Sequence, residues 1–266
     1  MENIKRTYKW LGVVTLFNPD REQVERNMLT YRDALDELIV WDNTPGIHTN
    51  DGIAKPLNHA MRKGISEGYD MLLIMDQDSC WDDFNGYKQT IEKLSGKHPC
   101  AVFTPHIESL DGDSHREEIS HRRLLINSGT VIPLKVLQDI GEADENAFPL
   151  DALDHDISMR LAIKNYEVLC LGRYDLVHSL GNPKRLGPFR LFTPDYNAYR
   201  TWSMTRSHII CYRKYHDMMT AEDKDYLYKE ILLRKLGRIV FAESDKINRL
   251  KAYIRGIYEG CTYKIK

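Results

Sequence analysis

The chain has 266 residues, of which 42% are hydrophobic and 29% charged, and its formal net charge at pH 7 is -2. These values predict a soluble globular protein made of one large domain, or of one domain with an appendage. They exclude the basic surface of a general nucleic-acid-binding protein, and no apolar run approaches the ~20 residues that span a membrane.

The cysteines and the first residues indicate the cellular compartment. Five cysteines are scattered along the chain without the spacing of a zinc site or of a disulfide framework. Segment 1–9 is polar and charged and lacks the apolar core of a signal peptide. We therefore expect reduced thiols in a cytoplasmic protein.

Strands and helices alternate in the first part of the chain. The pattern predicts a strand over 10–17, a helix that opens at Asn18-Pro19-Asp20, a strand over 38–41, a helix over 51–64 and a strand over 69–75. A helix between two such strands implies a parallel pair with a right-handed crossover. Three strands alternating with helices predict a doubly wound, Rossmann-like half.

The third of these strands leads directly into two carboxylates. Residues 71–75 are apolar without polar alternation, which indicates a strand buried on both faces, and Asp76 and Asp78 follow. Residues two apart in an extended segment point to the same side, at the edge where open α/β sheets bind ligands. Two such carboxylates suit magnesium or manganese held against a diphosphate. The alternative is a helix cap or an Asx-turn.

The usual phosphate loops are missing from the sequence. No Gly-x-Gly-x-x-Gly follows the first strand, and no Gly-Lys-Ser/Thr loop occurs anywhere. The second and third strands are instead each followed by an aspartate, Asp42 and Asp76. This arrangement favours a nucleotide held by carboxylates, with a metal bridging its diphosphate.

The rest of the chain continues the alternation and then becomes helical. The pattern predicts a helix over 81–94, a strand over 100–104, a charged surface segment over 108–123, a strand over 124–132 and a helix from Pro133 to Ile140. An acidic cluster over 148–156 then leads into a helix over 157–164 and a strand over 166–171, followed by Leu176-Val177-His178 and a loop over 181–183. The composition changes at Asp195, after which the pattern predicts a long helix ending near Tyr215 and a helical region over 221–258. Ser128-Gly129 in mid-strand indicates a bulge or a close approach of the backbone to a ligand.

Six short stretches occur in a fixed order along the chain: VVTLFNP over 13–19, WDNT over 41–44, NDGIAKPLN over 50–58, DQDS over 76–79, DALDHDISMR over 151–160 and VHSLG over 177–181. Together they resemble the family 2 glycosyltransferases with a GT-A fold. Within that family the chain looks most like bacterial rhamnosyltransferases that build O-antigen and capsule, and the resemblance covers about residues 10–215. The resemblance implies a Rossmann-like nucleotide-binding half, a mixed central sheet, a GT-A domain over 1–215 and a C-terminal helical extension over 216–266.

The resemblance also implies roles for the carboxylates and for one histidine. Asp42 matches the residue that hydrogen-bonds the nucleotide base, Asp76 the residue near the ribose and the metal, and Asp78 the direct metal ligand. Asp154 matches the catalytic base, and His178 matches a histidine that reaches the metal or the diphosphate. Without the resemblance, Asp42 fits a turn and His178 a buried histidine bonded to the backbone.

Further residues match the family's nucleotide-sugar and acceptor regions. The resemblance implies that Thr15 and Asn18 contact the nucleotide sugar and that Arg206 lies near the diphosphate. Asp151 and Asp156 remain rivals of Asp154 for the role of base. Aromatic residues on the long predicted helix could face the acceptor or the core; they are Tyr196, Tyr199 and Trp202.

The predicted function is inverting transfer of rhamnose from dTDP-rhamnose onto a cell-surface polysaccharide precursor, with manganese or magnesium as cofactor. The same-fold alternative uses UDP-galactofuranose or UDP-glucose. A sugar nucleotidyltransferase is a second alternative, but that class would show a glycine-rich loop near the first strand. A non-catalytic glycan-binding relative is a third, and it would be free to lose Asp78 and Asp154, which are both present.

The C-terminal region is basic. From Lys229 onward it has ten Lys or Arg residues against four Asp or Glu. We expect it to contact the inner face of the cell membrane, where anionic headgroups attract such segments and lipid-linked glycan acceptors lie. A solvated helical face and a dimer contact are the alternatives.

Overall fold

The apolar run near the start of the chain forms the middle strand of a parallel trio. A computed structural model describes residues 8–46, 50–107, 117–178, 184–186, 191–193 and 195–265. Its strands are β1 (Trp10–Leu16), β2 (Glu37–Asp42), β3 (Met71–Asp76), β4 (Ser79–Trp81), β5 (Val102–His106), β6 (Ser120–His121), β7 (Val131–Pro133), β8 (Val168–His178), β9 (Lys184–Leu186) and β10 (Leu191–Thr193).

Helices follow most of these strands and then occupy the C-terminal part. They are α1 (Arg21–Leu29), α2 (Ala54–Ser66), α3 (Phe84–Leu94), α4 (Leu134–Ile140), α5 (Leu153–Ile163), α6 (Ala198–Tyr215), α7 (Ala221–Tyr226), a π-helical segment (Leu227–Arg234), α8 (Lys235–Phe241) and α9 (Lys246–Thr262). None of the described helices is long and apolar enough to cross a bilayer.

Eight of the described strands form one mixed sheet in the order β2-β1-β3-β7-β5-β8-β4, with β6 on β8. β1 pairs in parallel with β2 and β3, and β5 pairs in parallel with β8. The pairings of β7 with β3 and β5, and of β8 with β4 and β6, are antiparallel. The predicted Rossmann-like start and mixed central sheet are therefore confirmed.

Aromatic side chains from two strands, from α3 and from the segment after α1 pack together in the core of the sheet unit. Trp10, Tyr31, Phe84 and Tyr87 are at most 2% exposed, and the ring centroid of Trp81 lies 4.5 Å from that of Tyr87. Burial of each such side chain contributes roughly 1.5–3 kcal/mol to the free energy of folding. The core therefore holds α1 and α3 against the strands whose ends carry the predicted donor residues.

The chain divides into two compact units. The sheet unit consists of Met1–Ala143 and Arg160–Ser179, and the helical unit consists of Asp144–Met159 and Leu180–Lys266. Helix α5 contributes residues to both units. The domain boundary at 215/216 stays a prediction, since it separates residues that the helical unit groups together.

Several boundaries differ from the predicted ones for local reasons. Asp20, and not Asn18, caps α1, because its carboxylate accepts hydrogen bonds from the Glu22 and Gln23 amides. Helix α3 begins only at Phe84, after the Asp83 cap, and the preceding residues form β4, which the sequence did not predict. The strand predicted over 124–132 is reduced to β7, because the chain turns at Gly129, where φ is +78°.

Two predicted surface features fall partly or wholly outside the described residues. Of the charged segment over 108–123, residues 108–116 lie outside them, whereas Ser120–His121 forms β6 against β8. The loop over 181–183 also lies outside them. The C-terminal region predicted to be helical is helical in α7, the π-helical segment, α8 and α9.

Two glycines bring α9 close to α6 within the helical unit. A Cβ on Gly256 would lie 2.9 Å from the Trp202 carbonyl oxygen, and one on Gly260 would lie 2.9 Å from the Ile209 Cβ. The four-residue spacing places both glycines on one face of α9. Larger residues there would force the helices apart.

The glycine contact predicts opposite effects of two alanine substitutions. Gly256→Ala should lower the free energy of unfolding by about 1–3 kcal/mol, because its methyl group overlaps α6. Gly237→Ala in α8 should raise it by about 0.5–1 kcal/mol, because a Cβ there meets nothing within 4 Å and alanine favours the helix. Urea unfolding of both variants measures the difference, and equal stabilities would show that α6 and α9 are not in close contact.

Candidate functional site

The C-terminal ends of β1, β2 and β3 place predicted donor residues at one edge of the sheet. In the parallel register, Leu16 of β1 lies opposite Asp42 of β2, and Thr15 lies opposite Asp76 of β3. Asp42 and Asp76 therefore flank β1 at the same edge, as the sequence predicted. Thr15 is partly buried between the two strands.

Asp42 closes a turn and remains partly accessible. Its carboxylate accepts a hydrogen bond from the Thr44 amide at 2.9 Å and lies 3.5 Å from the Arg21 guanidinium. The Thr44 hydroxyl accepts a bond from the Asn18 amide at 3.1 Å, and Asn18 has a left-handed φ of +47°. The turn role is thus observed, and the contact with a nucleotide base stays a prediction. Asn18 is placed beside the same turn.

Asn43 was missed by the sequence reasoning, although it fixes the loop that follows β2. Its side chain is buried; the amide nitrogen donates to the Gly52 carbonyl at 2.7 Å, and the amide oxygen accepts from the Asp51 amide at 3.1 Å. Asp51 also pairs with Lys55 at 2.9 Å. The available sequence signal is an Asn directly after Asp42, a residue type that favours turns and does not reveal the contact with Gly52.

The Asp76-Gln77-Asp78 turn between β3 and β4 is fixed by hydrogen bonds to α1 and to the end of β1. The Gln77 side chain accepts from the Phe17 amide at 2.8 Å and donates to the Phe17 carbonyl at 3.1 Å. Asn27 donates to the Gln77 carbonyl at 2.9 Å. This reciprocal amide contact ties the Asp76-Gln77-Asp78 turn to the end of β1.

Two buried serines support the turn from the opposite side. The Ser128 hydroxyl accepts from the Asp76 amide at 3.2 Å and donates to the Ser79 hydroxyl at 2.8 Å. Gly129, the residue after Ser128, must be a glycine, because its φ is +78° and a Cβ there would lie 2.7 Å from Pro105. The predicted close approach at Ser128-Gly129 is thus toward the carboxylate turn of the protein itself.

The turn presents carboxylate oxygens of the kind that bind a divalent cation. Asp76 and Asp78 are partly exposed, and burial together with the charge of Asp76 raises the pKa of Tyr31 well above its usual value. The antiparallel register places His178 opposite Ser79, one residue from Asp78, although its side chain lies outside the described set.

No group of three His, Cys, Asp or Glu residues in the described ranges is arranged to hold an ion. Magnesium is usually bound through one or two carboxylates together with substrate phosphates, so the carboxylates of the turn fit such an ion. The roles of Asp76, Asp78 and His178 as donor and metal residues stay predictions.

The acidic cluster at the start of α5 contains three carboxylates in different environments. The Asp151 side chain is 4% exposed and pairs with Arg200 at 2.8 Å. Asp156 is 1% exposed and accepts bonds from Lys214 at 2.8 Å and from the Tyr215 hydroxyl at 2.6 Å. Asp154 is 32% exposed, which makes it the most accessible of the three.

His155 binds the carboxylate of Asp154. The Asp154 Oδ1 atom accepts from the His155 amide at 2.9 Å and lies 3.0 Å from the His155 Nδ1 atom. Burial by itself raises the pKa of Asp154, but the hydrogen bonds and charge of His155 outweigh it, so the pKa lies below its ordinary value. Asp154 therefore remains ionised at neutral pH in the first turn of α5, where the helix dipole also favours its charge.

Aromatic rings surround this pair within the helical unit. The His155 ring lies 5.5 Å from that of His208 and stacks at 6.2 Å on Tyr226. Burial, followed by repulsion from His155, holds the pKa of His208 below its usual value, and burial with the charge of Asp154 raises the pKa of Tyr226 to about 12. The sequence does not reveal the roles of His208 and Tyr226. Each lies more than fifty positions from His155, so no local pattern links them to it.

Arg206 is held by groups of the helical unit. It is 8% exposed, donates to the Asn146 carbonyl at 2.8 Å and lies 3.7 Å from the Glu259 carboxylate. Its guanidinium also lies over the rings of Trp202 and Tyr263. These contacts describe a structural role, and the contact with a diphosphate stays a prediction.

The aromatic residues predicted on the long helix differ in exposure. Tyr199 is 44% exposed and its ring lies 5.6 Å from that of Trp202. The Tyr196 ring contacts the cations of Arg200 and Lys235. Tyr199 therefore remains available to an acceptor, whereas Tyr196 and Trp202 also serve packing.

Comparison with known proteins gives one curated relative and several structures. No protein-family model matches the chain. The dTDP-rhamnosyl transferase RfbF of Shigella flexneri is 23% identical over 235 residues, which are 79% of this chain and 75% of that protein.

Among solved structures, GalNAc-T7 with UDP, GalNAc and Mn2+ aligns with a TM-score of 0.57 and 12% identity over 83% of this chain. The chain spans half the length of that structure. S. aureus TarS 1-349 in complex with UDP-GlcNAc aligns with a TM-score of 0.51 and 13% identity, over 94% of this chain and 81% of that one. Together with the mixed sheet, these likenesses confirm the GT-A fold.

Proposed function

We propose that the chain is an inverting glycosyltransferase that takes a nucleoside diphosphate sugar as donor. The observation that carries the proposal is the register that sets Asp42 and Asp76 on either side of β1, with Asp78 in the turn that follows. Carboxylates at the C-terminal edge of parallel strands, without a glycine-rich loop, suit a nucleotide whose diphosphate is bound through a cation. The sequence similarity to a curated sugar transferase supports the same class.

The proposed donor is dTDP-rhamnose, and the proposed acceptor is a precursor of a cell-surface polysaccharide. The dTDP-rhamnosyl transferase of Shigella flexneri supports this donor, as do the DQDS and FNP stretches of the sequence. A UDP-sugar is the second candidate, because the structural neighbours were solved with UDP and with UDP-GlcNAc.

The chemistry assigns separate carboxylates to donor and acceptor. The acceptor hydroxyl gives its proton to Asp154 while its oxygen forms a bond to the anomeric carbon, and the bond from that carbon to the diphosphate oxygen breaks. Asp78, with Asp76 and His178, would hold the divalent cation, which when bound neutralises charge on the leaving diphosphate. A carboxylate bound to a cation is a poor base, so the base must come from another cluster.

The environments of the three acidic-cluster carboxylates favour Asp154 as the base. Asp151 and Asp156 are buried and each paired with a cation, so neither is free to take a proton from an acceptor. Because His155 occupies Oδ1 of Asp154, the Oδ2 atom is the one proposed to meet the acceptor hydroxyl. His155 is thus a positioning residue for the base.

Asp78→Ala tests the function and the cation site together. Calorimetry of wild-type protein with a panel of nucleotide sugars, with and without manganese, should show cation-dependent binding of dTDP-rhamnose or of a UDP-sugar. In Asp78→Ala the cation-dependent gain in affinity should disappear, whereas Asp82→Ala, an exposed carboxylate nearby, should keep it. If wild-type protein bound no nucleotide sugar, the proposed function would be wrong. If Asp78→Ala kept the cation-dependent affinity, the assignment of Asp78 as a metal ligand would be wrong and the proposed function would stand.

Asp154→Asn should remove the base and leave donor binding nearly unchanged. The rate of sugar transfer, followed as release of the nucleoside diphosphate, should fall by about 100- to 10,000-fold. Asp151→Asn and Asp156→Asn are the controls, with smaller expected losses. Near-normal turnover in Asp154→Asn combined with lost turnover in Asp151→Asn would instead identify Asp151 as the base.

His155→Ala should shift the pH dependence of turnover. The lowered pKa of Asp154 depends on His155, so without this histidine burial dominates and the pKa rises. Because the base must be ionised, the acidic limb of the kcat/KM profile should move to higher pH, and activity near neutral pH should recover on further alkalinisation. His216→Ala, at a histidine paired with Asp217 on the surface, is the control, and an unchanged acidic limb in His155→Ala would contradict the positioning role.

A further inference from the structure

Large apolar side chains are exposed along the C-terminal helices of the helical unit. Elsewhere in the described part of the chain, exposed large hydrophobic residues are scattered. From Leu233 to Tyr258 they recur every few residues, at exposures of 37–71%: Leu233 68%, Leu236 37%, Val240 42%, Phe241 50%, Ile247 71%, Leu250 37%, Ile254 57% and Tyr258 69%. Such concentrations of exposed apolar surface mark interaction sites.

The exposed residues of α9 lie on a different face from the residues that pack. Arg249, Tyr253, Gly256 and Gly260 recur at spacings of three and four and are buried. Ile247, Ile254 and Tyr258 recur at spacings of seven and four, which places them together on another face of the helix. The packing of α9 against α6 therefore leaves this apolar face uncovered.

Hydrogen bonds hold α9 against the preceding helical segments. The Tyr253 hydroxyl donates to the Leu232 carbonyl at 3.1 Å, and the Lys246 ammonium donates to the Val240 carbonyl at 2.8 Å. The exposed apolar residues of the π-helical segment, α8 and α9 therefore belong to one hairpin of helices. We call the three most exposed large apolar residues of α9, which are Ile247, Ile254 and Tyr258, the C-terminal apolar face.

The charges around this face are mainly positive. The exposed charged residues between Leu233 and Ile265 are Arg234, Asp245, Lys246, Lys251, Arg255 and Lys264. Asp245 is acidic and the other five are basic. Two of the five are neutralised in part, since Arg234 pairs with Glu230 and Arg255 pairs with Glu259. An apolar face bordered by lysine and arginine is the pattern of helices that lie in the interface of an anionic bilayer.

We propose that the C-terminal apolar face docks on a bilayer surface with anionic headgroups. Ile247 and Ile254 would enter the boundary between headgroups and acyl chains, and Tyr258 suits the level of the headgroups. Lys246 and Lys251 would lie among the anionic headgroups. The proposal is independent of the proposed transfer reaction, because it rests on exposure and charge alone.

Vesicle flotation with the full chain tests the proposal. Wild-type protein should float with vesicles of phosphatidylcholine and phosphatidylglycerol in equal parts, and much less with phosphatidylcholine alone. Ile254→Ser should weaken partitioning about tenfold or more, because an apolar side chain no longer enters the bilayer. Lys251→Gln should weaken it about fivefold. Both residues are exposed, so circular dichroism and thermal unfolding should match wild type.

Matched control variants distinguish binding through the C-terminal apolar face from non-specific adsorption to vesicles. Ile163→Ser, at a residue that is 52% exposed but outside the face, and Lys97→Gln should bind vesicles as wild type does. Absence of vesicle binding, or equal losses in the control variants, would overturn the proposal. A dimer that Ile254→Ser dissociates, without vesicle binding, would assign the face to a second copy of the chain and overturn it as well.

Discussion

The parallel pairing of β1 with both β2 and β3 is the constraint on which the candidate donor edge depends. Because all three strands run in one direction, their carboxyl ends meet, and the register sets Asp42 and Asp76 on either side of Thr15 and Leu16. The reciprocal contact of Gln77 with Phe17 extends this order into the turn after β3. A shift of register by one residue would turn a strand's side chains to the opposite face and separate these groups.

Local environment distinguishes carboxylates that the sequence leaves equivalent. Asp151, Asp154 and Asp156 lie within six residues, and each was a candidate for the base. The structure gives two of them cationic partners and burial, and it gives Asp154 a histidine and partial exposure. This difference arises from α6, whose Arg200 and Lys214 are far away in sequence. Tertiary contacts of this kind have no period that a sequence pattern could reveal.

Features with strong local signals were predictable, and features made by long-range packing were not. The apolar runs of β1 and β3, and the long helix ending at Tyr215, were located closely from periodicity alone. β4 was missed because three residues after a tight turn carry no alternation, and β7 was overextended because Gly129 reverses the chain. The sequence gives no separate role to Gln77, His208 or Tyr226, since the partners of these residues lie on other elements. The motifs of the sequence select the candidate carboxylates, and the structure adds the contacts and the burial that surround each of them.

The helical unit is built from two separate segments of the chain, and this affects how the chain folds during synthesis. Asp144, just ahead of the acidic cluster, receives a hydrogen bond from the Tyr263 hydroxyl, 119 residues later, at 3.1 Å. The partners of Asp151 and Asp156 are on α6, which is made well after the sheet unit's strands. A ribosome moving at roughly 5–20 residues per second would thus expose segment 144–159 for several seconds before its partners emerge. The environment of the proposed base is therefore among the last parts of the molecule to assemble.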